Sequence, residues 1–374
     1  MSSVGSGGRF VYGFEGGNSM PVHDKRTLRW QVIGDNNYRS EGHSTVAIRQ
    51  HIFRAGGEVN GVCTNEIYFF KVHRKEGETE WTGRLPIVGN TPQFSFQYFG
   101  VLPIAVKDAL LFYHENSLYL IGGIDSDGNE LSSVYSSPLP YKAGTTLATY
   151  NQELVDVYNG DLLVWTRETD LPITLSKAKA IGVNDRVFLI GGYSGGVYQR
   201  QIFRIEFDSV HPIAYKPAGG IPSQIIDIEC LVDKNLVLIT GNDETTTIND
   251  PVYRLYFDYS DVCNRVSYIG NTPRKMRNYH IFRVHRNIYL AGGMTSNAEP
   301  TVYRDLLQFL NYTINKPIVW EFYEYLPTFM EVYEYIIIDD KIYAFGRDKM
   351  TGINSVIVEI ELVIYMKGNQ IFTY

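Results

Sequence analysis

Seven times along this chain a run of apolar residues ends on glycine, usually on two in a row. "FVYGFEGG" ends at Gly17, "HIFRAGG" at Gly57, "LYLIGG" at Gly123 and "VFLIGG" at Gly192. "LVLITG" follows at Gly241, "IYLAGG" at Gly293 and "IYAFG" at Gly346. The steps between these ends are 40, 66, 69, 49, 52 and 53 residues. Self-similarity at such a spacing marks a repeat architecture, in which each copy is one supersecondary unit that buries its faces against its neighbours. Unequal steps place the extra residues in loops.

Each copy holds more than its glycines. Another apolar strand precedes several of them: "STVAIR" (44–49), "DALLFY" (108–113), "HIFRVH" (280–285) and "EYIIID" (334–339). Turns such as "HENS" or "DD" join the two, which is hairpin spacing. A polar loop and a third strand follow the glycines, as in "EIYFFKV", "SVYSSP", "QIFRIEF", "PVYRLYF" and "SVIVEIEL". A fourth segment carries an aromatic and then Leu-Pro: "EWTGRLP" (80–86), "LLVWTRETDLP" (162–172) and "VWEFYEYLP" (319–327). Four short antiparallel strands make one propeller blade. The 28 Tyr and 19 Phe agree, since aromatic and β-branched residues favour strands.

These motifs resemble the kelch repeat. "RSEGHS" (39–44) and "RKMRNYH" (274–280) look like the Arg…His lead-in to a kelch first strand. The glycines end the second strand, Tyr135, Phe203, Tyr253 and Tyr303 sit on or beside the third, and Trp81, Trp165 and Trp320 mark the fourth. The likeness covers nearly the whole chain. It departs at Thr240-Gly241 and at Phe345-Gly346-Arg347. It implies an all-β, kelch-type β-propeller forming a single domain over 1–374. Seven four-stranded blades are expected, with six as the alternative. In such a ring the second strands would crowd towards a central channel, where glycine fits because it has no Cβ and tolerates positive φ. The first glycine pair comes too early for a complete blade. The tail "NQIFTY" (369–374) is therefore expected to pair beside residues 9–15 and close the first blade, covering an exposed edge. Insertions are expected at about 87–103, which is either an added strand or the outer strand of its blade, and at 141–161, as an extended hairpin or a short helix.

Composition narrows the function classes. The net charge of −7 argues against nucleic acid, which requires a basic stripe. No apolar run reaches the roughly 18 residues of a membrane helix. "MSSVGSGGRF" has neither a basic nor an apolar signal region, so a cytoplasmic protein, or one assembled into a larger particle, is expected. The sequon at Asn311 should then stay unmodified. Cys63, Cys230 and Cys263 are an odd set without C-x-x-C, which reads as free thiols in a reducing compartment.

Local motifs yield no catalytic residue, no cofactor site and no metal ligand set. "GYSGG" (192–196) satisfies G-x-S-x-G, but a nucleophile elbow needs a following helix, and here strand-like sequence follows. "DSDGNE" (125–130) lacks EF-hand spacing and reads as a polar turn. Tyr279-His280 matches a ligand pair of kelch-type copper radical oxidases. The remaining partners cannot be identified, and His280 falls on the repeat's own lead-in, so it reads as structural. Sialidase-type Asp boxes are absent from the sequence.

Two functional expectations follow. The first is a non-enzymatic scaffold that binds protein partners through its loop faces, possible also as a subunit of a larger assembly such as a virion. The loops after the glycines, "NDETTTIND" (242–250), "MTSNAEP" (294–300) and "RDKMTGI" (347–353), are polar and of mixed charge. Tyr193, Asp243, Glu244, Arg347 and Lys349 are the expected surface contacts. Phe94, Phe96 and Tyr98, at alternate positions, form an aromatic docking strip. The alternative, implied by the resemblance, is a sugar-processing kelch enzyme similar to sialic-acid mutarotases.

Overall fold

A computed structural model describes residues 9–11, 24–35, 40–48, 51–71, 97–139, 163–208, 211–233, 236–243, 249–284, 287–295, 303, 305–309, 318–325, 330–338, 341–348, 356–366 and 370–372. All regular elements among them are β-strands, so no helix there is long and apolar enough to cross a membrane. The chain groups into two compact units. One comprises residues 37–85 and 95–274, the other 1–36, 86–94 and 275–374.

The larger unit holds four antiparallel sheets, each of four strands in chain order. The first sheet is Ser44–Ile48, His51–Ala55, Glu66–Lys71 and Gln97–Val101. The second is Leu110–His114, Ser117–Ile121, Val134–Pro138 and Thr166–Arg167. The third is Lys179–Val183, Arg186–Ile190, Gln201–Asp208 and His211–Gly220. The fourth is Ile226–Asp233, Leu236–Asn242, Pro251–Phe257 and Cys263–Asn271. In the second and third sheets a two-residue turn joins the first strand to the second. Glu115-Asn116 and Asn184-Asp185 all have positive φ, as a type I′ hairpin requires.

Second strands read as unbroken apolar runs because both of their faces are buried. In Ser117–Ile121, Leu118 and Leu120 pack with Phe53 and Ile67 of the first sheet. Tyr119 and Ile121, pointing the other way, pack with Leu189 and Phe203 of the third. The next repeat does the same: Phe188 and Ile190 join Val237 and Leu255 of the fourth sheet. The core is thus a series of layers between successive sheets.

The smaller unit holds a fifth four-stranded sheet: Arg277–Val284, Asn287–Met294, Asp305–Phe309 and Trp320–Tyr325. It also holds a six-stranded sheet built from both ends of the chain. There Met330–Ile338, Lys341–Asp348 and Val356–Met366 run in order, and Asp24–Asp35 pairs with the last of them, Arg26 opposite Ile364 and Trp30 opposite Ile360.

Three expectations are corrected. Among the described residues five sheets have the four-stranded form, against an expected count of seven or six. The tail is not seen beside residues 9–11 among the described residues. Gln370–Phe372 pairs with Ile364–Met366, and Arg9–Val11 pairs with Asp24–Arg26. Asp24–Asp35 lies between Arg9–Val11 and Val356–Met366, so the tail and residues 9–11 sit against different strands. Finally, it is the first strands, not the second, that lie beside one another in the larger unit: Ser44–Ile48 next to Leu110–His114, next to Lys179–Val183, next to Ile226–Asp233. The proposed insertion at 87–103 resolves at its end into Gln97–Val101, the outer strand of the first sheet. The 80–86 segment with Trp81 and the 141–161 segment lie outside the described residues.

Candidate functional site on the glycine loops and lead-ins

The glycine pairs explain how one face of the larger unit is built. Gly122 and Gly123 have φ of +59° and +97°, and the pairs at 56–57, 191–192 and 292–293 repeat these values closely. The Gly123 amide donates to the Leu175 carbonyl at 2.8 Å, and the Leu175 amide donates to the Leu131 carbonyl at 2.9 Å. Leu175 belongs to the lead-in of the next repeat. A Cβ on Gly122 would fall 2.0 Å from the Leu175 oxygen. Glycine is therefore required for contact with the following sheet, as well as for the left-handed turn. The Gly57 amide and the Val106 carbonyl make the equivalent bond at 2.8 Å.

Each lead-in also pairs with the loop after its own glycines, through bridges Glu41–Glu58, Lys107–Ile124 and Ser176–Tyr193. Lead-ins and loops thus share one face, and polar side chains clasp its joints. Lys107 forms an ion pair with Glu58, and the Cys63 thiol sits 3.8 Å from the Ile124 carbonyl. At the next joint the Glu130 carboxylate accepts from the Thr174 hydroxyl at 3.1 Å and from the Gly195 amide at 2.7 Å. The Ser194 hydroxyl lies 3.1 Å from that of Thr174.

The residue at the mouth of each first strand is left-handed: Gly42, Asp108, Lys177 and Asp227, with Asn278 at the same position in the fifth sheet. Backbone bonds link them, Asp108 N–H to the Gly42 carbonyl at 2.6 Å and Lys177 N–H to the Asp108 carbonyl at 2.9 Å. Burial pushes the Asp108 carboxyl above its usual range. Lys177 and Lys107 pull it back, while Asp227 and Glu58 add to the rise. Further along the same inner strands Lys179 pairs with Glu229 at 3.3 Å. This mixed-charge face can hold polar groups by hydrogen bonds and ion pairs. Among the described residues no group of three or more His, Cys, Asp or Glu could hold a metal ion.

The comparisons with known proteins bear on the fold. No family model matches the chain, and no curated protein matches it. Solved structures do match, among them that of YjhT, which is 10% identical, covers 91% of this chain and 99% of its own, and has a TM-score of 0.62. The fold is a β-propeller. At this identity the likeness speaks to fold alone, and the four-stranded sheets above are its blades.

Several sequence-predicted positions find a place in these blades. Tyr98 is 54% exposed on the outer strand of the first blade, opposite Tyr68, with ring centroids 6.0 Å apart. Tyr193 is half-buried, paired with Tyr198 in a short ribbon at 5.0 Å. Arg347 lies on Lys341–Asp348 opposite Glu331. Asp243 is a correction. It is only 2% exposed, so its side chain is not a surface contact. Phe94, Phe96, Glu244 and Lys349 lie outside the described residues.

"GYSGG" forms a tight ribbon turn, Gly195 and Gly196 both having positive φ, with no helix after it. Asp125 holds its own turn, accepting from the Asp127 and Asn129 amides at 2.9 and 2.8 Å. The Asn129 side chain, then these backbone bonds, keep its carboxyl below the usual range. His280 packs against the Tyr335 ring at 4.9 Å. Sequence reasoning missed Glu58, Lys107, Asp108, Lys177 and Asp227. For Asp108, Lys177 and Asp227 the available signal was a fixed place at the mouth of each first strand, where Gly, Asp and Asn recur as residues tolerant of left-handed backbone; Glu58 and Lys107 carry no such signal.

Proposed function

We propose that this propeller is a non-enzymatic kelch-type scaffold that binds protein partners through its loop faces, in the cytoplasm or within a larger assembly such as a virion. The kelch assignment is supported by the Arg…His lead-ins and the glycine-ended second strands. One observation carries the binding role: the loops after the glycines are pinned by backbone bonds to their own lead-ins, and in the first two blades the glycines and loops are tied to the next lead-in as well. A pinned polar face loses little conformational freedom on binding, which favours recognition. The net charge of −7 favours a protein partner over nucleic acid, and no role at a membrane is proposed. Cys63, Cys230 and Cys263 are free thiols, consistent with a reducing compartment.

A second reading, sugar processing, draws on Asp108, whose carboxyl is raised by burial beside Lys177, as a proton-transferring acid would be. One pair of measurements separates the two. Cross-linked capture from the native source should retain a stoichiometric protein that the variant with Tyr98→Ala and Tyr193→Ala loses. Exchange NMR of reducing sugars should show no acceleration of anomer exchange. Acceleration abolished by Asp108→Asn, with no protein retained, would overturn the scaffold reading.

A further inference from the structure

One blade differs from the others inside its own repeat. Take the residue just after the left-handed lead-in position and the third residue before the second glycine. In the second blade these are Ala109 and Leu120, and in the third Ala178 and Leu189. In the fourth they are Ile228 and Leu238, and in the fifth Tyr279 and Leu290. All four pairs are apolar, and the leucines are each 1% exposed. The first blade puts His43 and Arg54 there instead, and Arg54 is 3% exposed. An apolar pair demonstrably suits these positions. A buried guanidinium against a half-buried imidazole costs desolvation energy that alanine and leucine do not.

The contact geometry requires a neutral imidazole. Arg54 Nη2 donates to His43 Nδ1 at 2.9 Å and reaches the Ser40 carbonyl at 3.5 Å. His43 Nδ1 also lies 2.9 Å from that carbonyl. A proton on Nδ1 would form a hydrogen bond to Ser40 but remove the acceptor from Arg54 and set two cations in contact. Among the described residues Arg54 is the one charged group acting on His43. Burial, then Arg54, hold the imidazole well below its usual range, against the opposing pull of the Ser40 carbonyl.

What the pair holds is the lead-in of the first blade. Glu41 bridges to Glu58, and the carbonyl of Gly42, next to His43, accepts the Asp108 amide at 2.6 Å. That bond ties the first strand of the first blade to that of the second. We propose that His43 is a proton-operated latch: its protonation releases residues 40–48 from His51–Ala55 and breaks the Gly42–Asp108 link between the first two blades. The switch follows from the general behaviour of histidine held neutral by its neighbours at pH 5–7.

Hydrogen exchange of the full chain tests it, read on peptides covering 40–48 and 105–112 and corrected for intrinsic rates. Between pH 7.5 and 5.5 protection of both segments should fall severalfold, towards a ceiling of about tenfold for one histidine, while 186–190 stays protected. His43→Gln, which keeps an acceptor for Arg54, should remove the fall. So should His43→Ala, which copies the second blade. Unchanged protection in the native chain, or an equal fall in a folded variant, overturns the latch. Should neither variant fold, the His43 ring proton decides by NMR in the native chain. Titration coincident with loss of protection supports the latch, and an ordinary titration near pH 6.5 with protection intact overturns it.

Discussion

Gly122 stands so close to Leu175 that a Cβ would lie 2.0 Å from the Leu175 carbonyl oxygen, while Gly123 donates to that same oxygen at 2.8 Å. Both glycines of the pair thus serve one acceptor in the next blade. Gly122→Ala must push the blades apart or break that bond, with left-handed strain added, so a loss of about 2–4 kcal/mol is expected. Gly128, at φ +84° with nothing within 4 Å of its notional Cβ, is the control. Gly128→Ala should cost only the left-handed term, about 1–2 kcal/mol. Urea midpoints at constant slope measure both, and equal losses would remove the packing argument.

The outer strands are joined by a side chain. Trp165 Nε1 donates to the Val101 carbonyl at 2.8 Å, across two blades. Trp165→Phe keeps most of the ring and loses the donor. A destabilisation of about 1 kcal/mol is expected, the ordinary worth of one such bond. No change in the midpoint would show that water replaces the indole freely.

At the face, Glu130 satisfies both the Thr174 hydroxyl and the Gly195 amide. Glu130→Ala should lower stability by about 1–2 kcal/mol and speed exchange of the Gly195 amide. Thr174→Val tests the network separately, and in a double-mutant cycle the two losses should not add. Strict additivity would mean that the network is not coupled.

Asp108 sets a pH dependence of its own. Its folded carboxyl is raised above the unfolded value of 3.8, chiefly by burial. The folded state therefore holds this proton more tightly than the unfolded chain. The favourable contribution is present at low pH and is lost as pH rises through the raised folded value. Asp108→Asn removes the desolvated charge and keeps a residue tolerant of left-handed backbone. The variant should melt higher than the native chain at pH 7, and the gap should close towards pH 3. A lower melting temperature at pH 7 would show that Lys107 and Lys177 outweigh burial.

His43 runs in the opposite sense. Its folded value is depressed below 6.5, so full stability is present above that pH and declines as pH falls below it. Thermal melts from pH 8 to 5 should show this decline in the native chain and a shallower one in His43→Gln. Parallel curves would assign the acid loss to other groups.

The repeat was legible because its causes are local. Two buried faces force an unbroken apolar second strand such as Ser117–Ile121, and a left-handed turn against a neighbour forces Gly122-Gly123. Period and turn chemistry therefore determined the all-β class, the hairpins and most strand positions by themselves. The blade count and the chain ends were not fixed this way. That Asp24–Asp35 pairs with Val356–Met366 joins segments more than three hundred residues apart, and no local pattern specifies such a partner. The face was hidden for the same reason. Glu130, Thr174 and Gly195 are unremarkable in sequence and meet only because neighbouring blades bring their loops together. Asp243 shows the converse: it opens a polar loop sequence, yet its side chain is buried at the end of Leu236–Asn242. Residue chemistry and spacing decide what each strand can be, whereas long-range pairing decides which side chains share a surface.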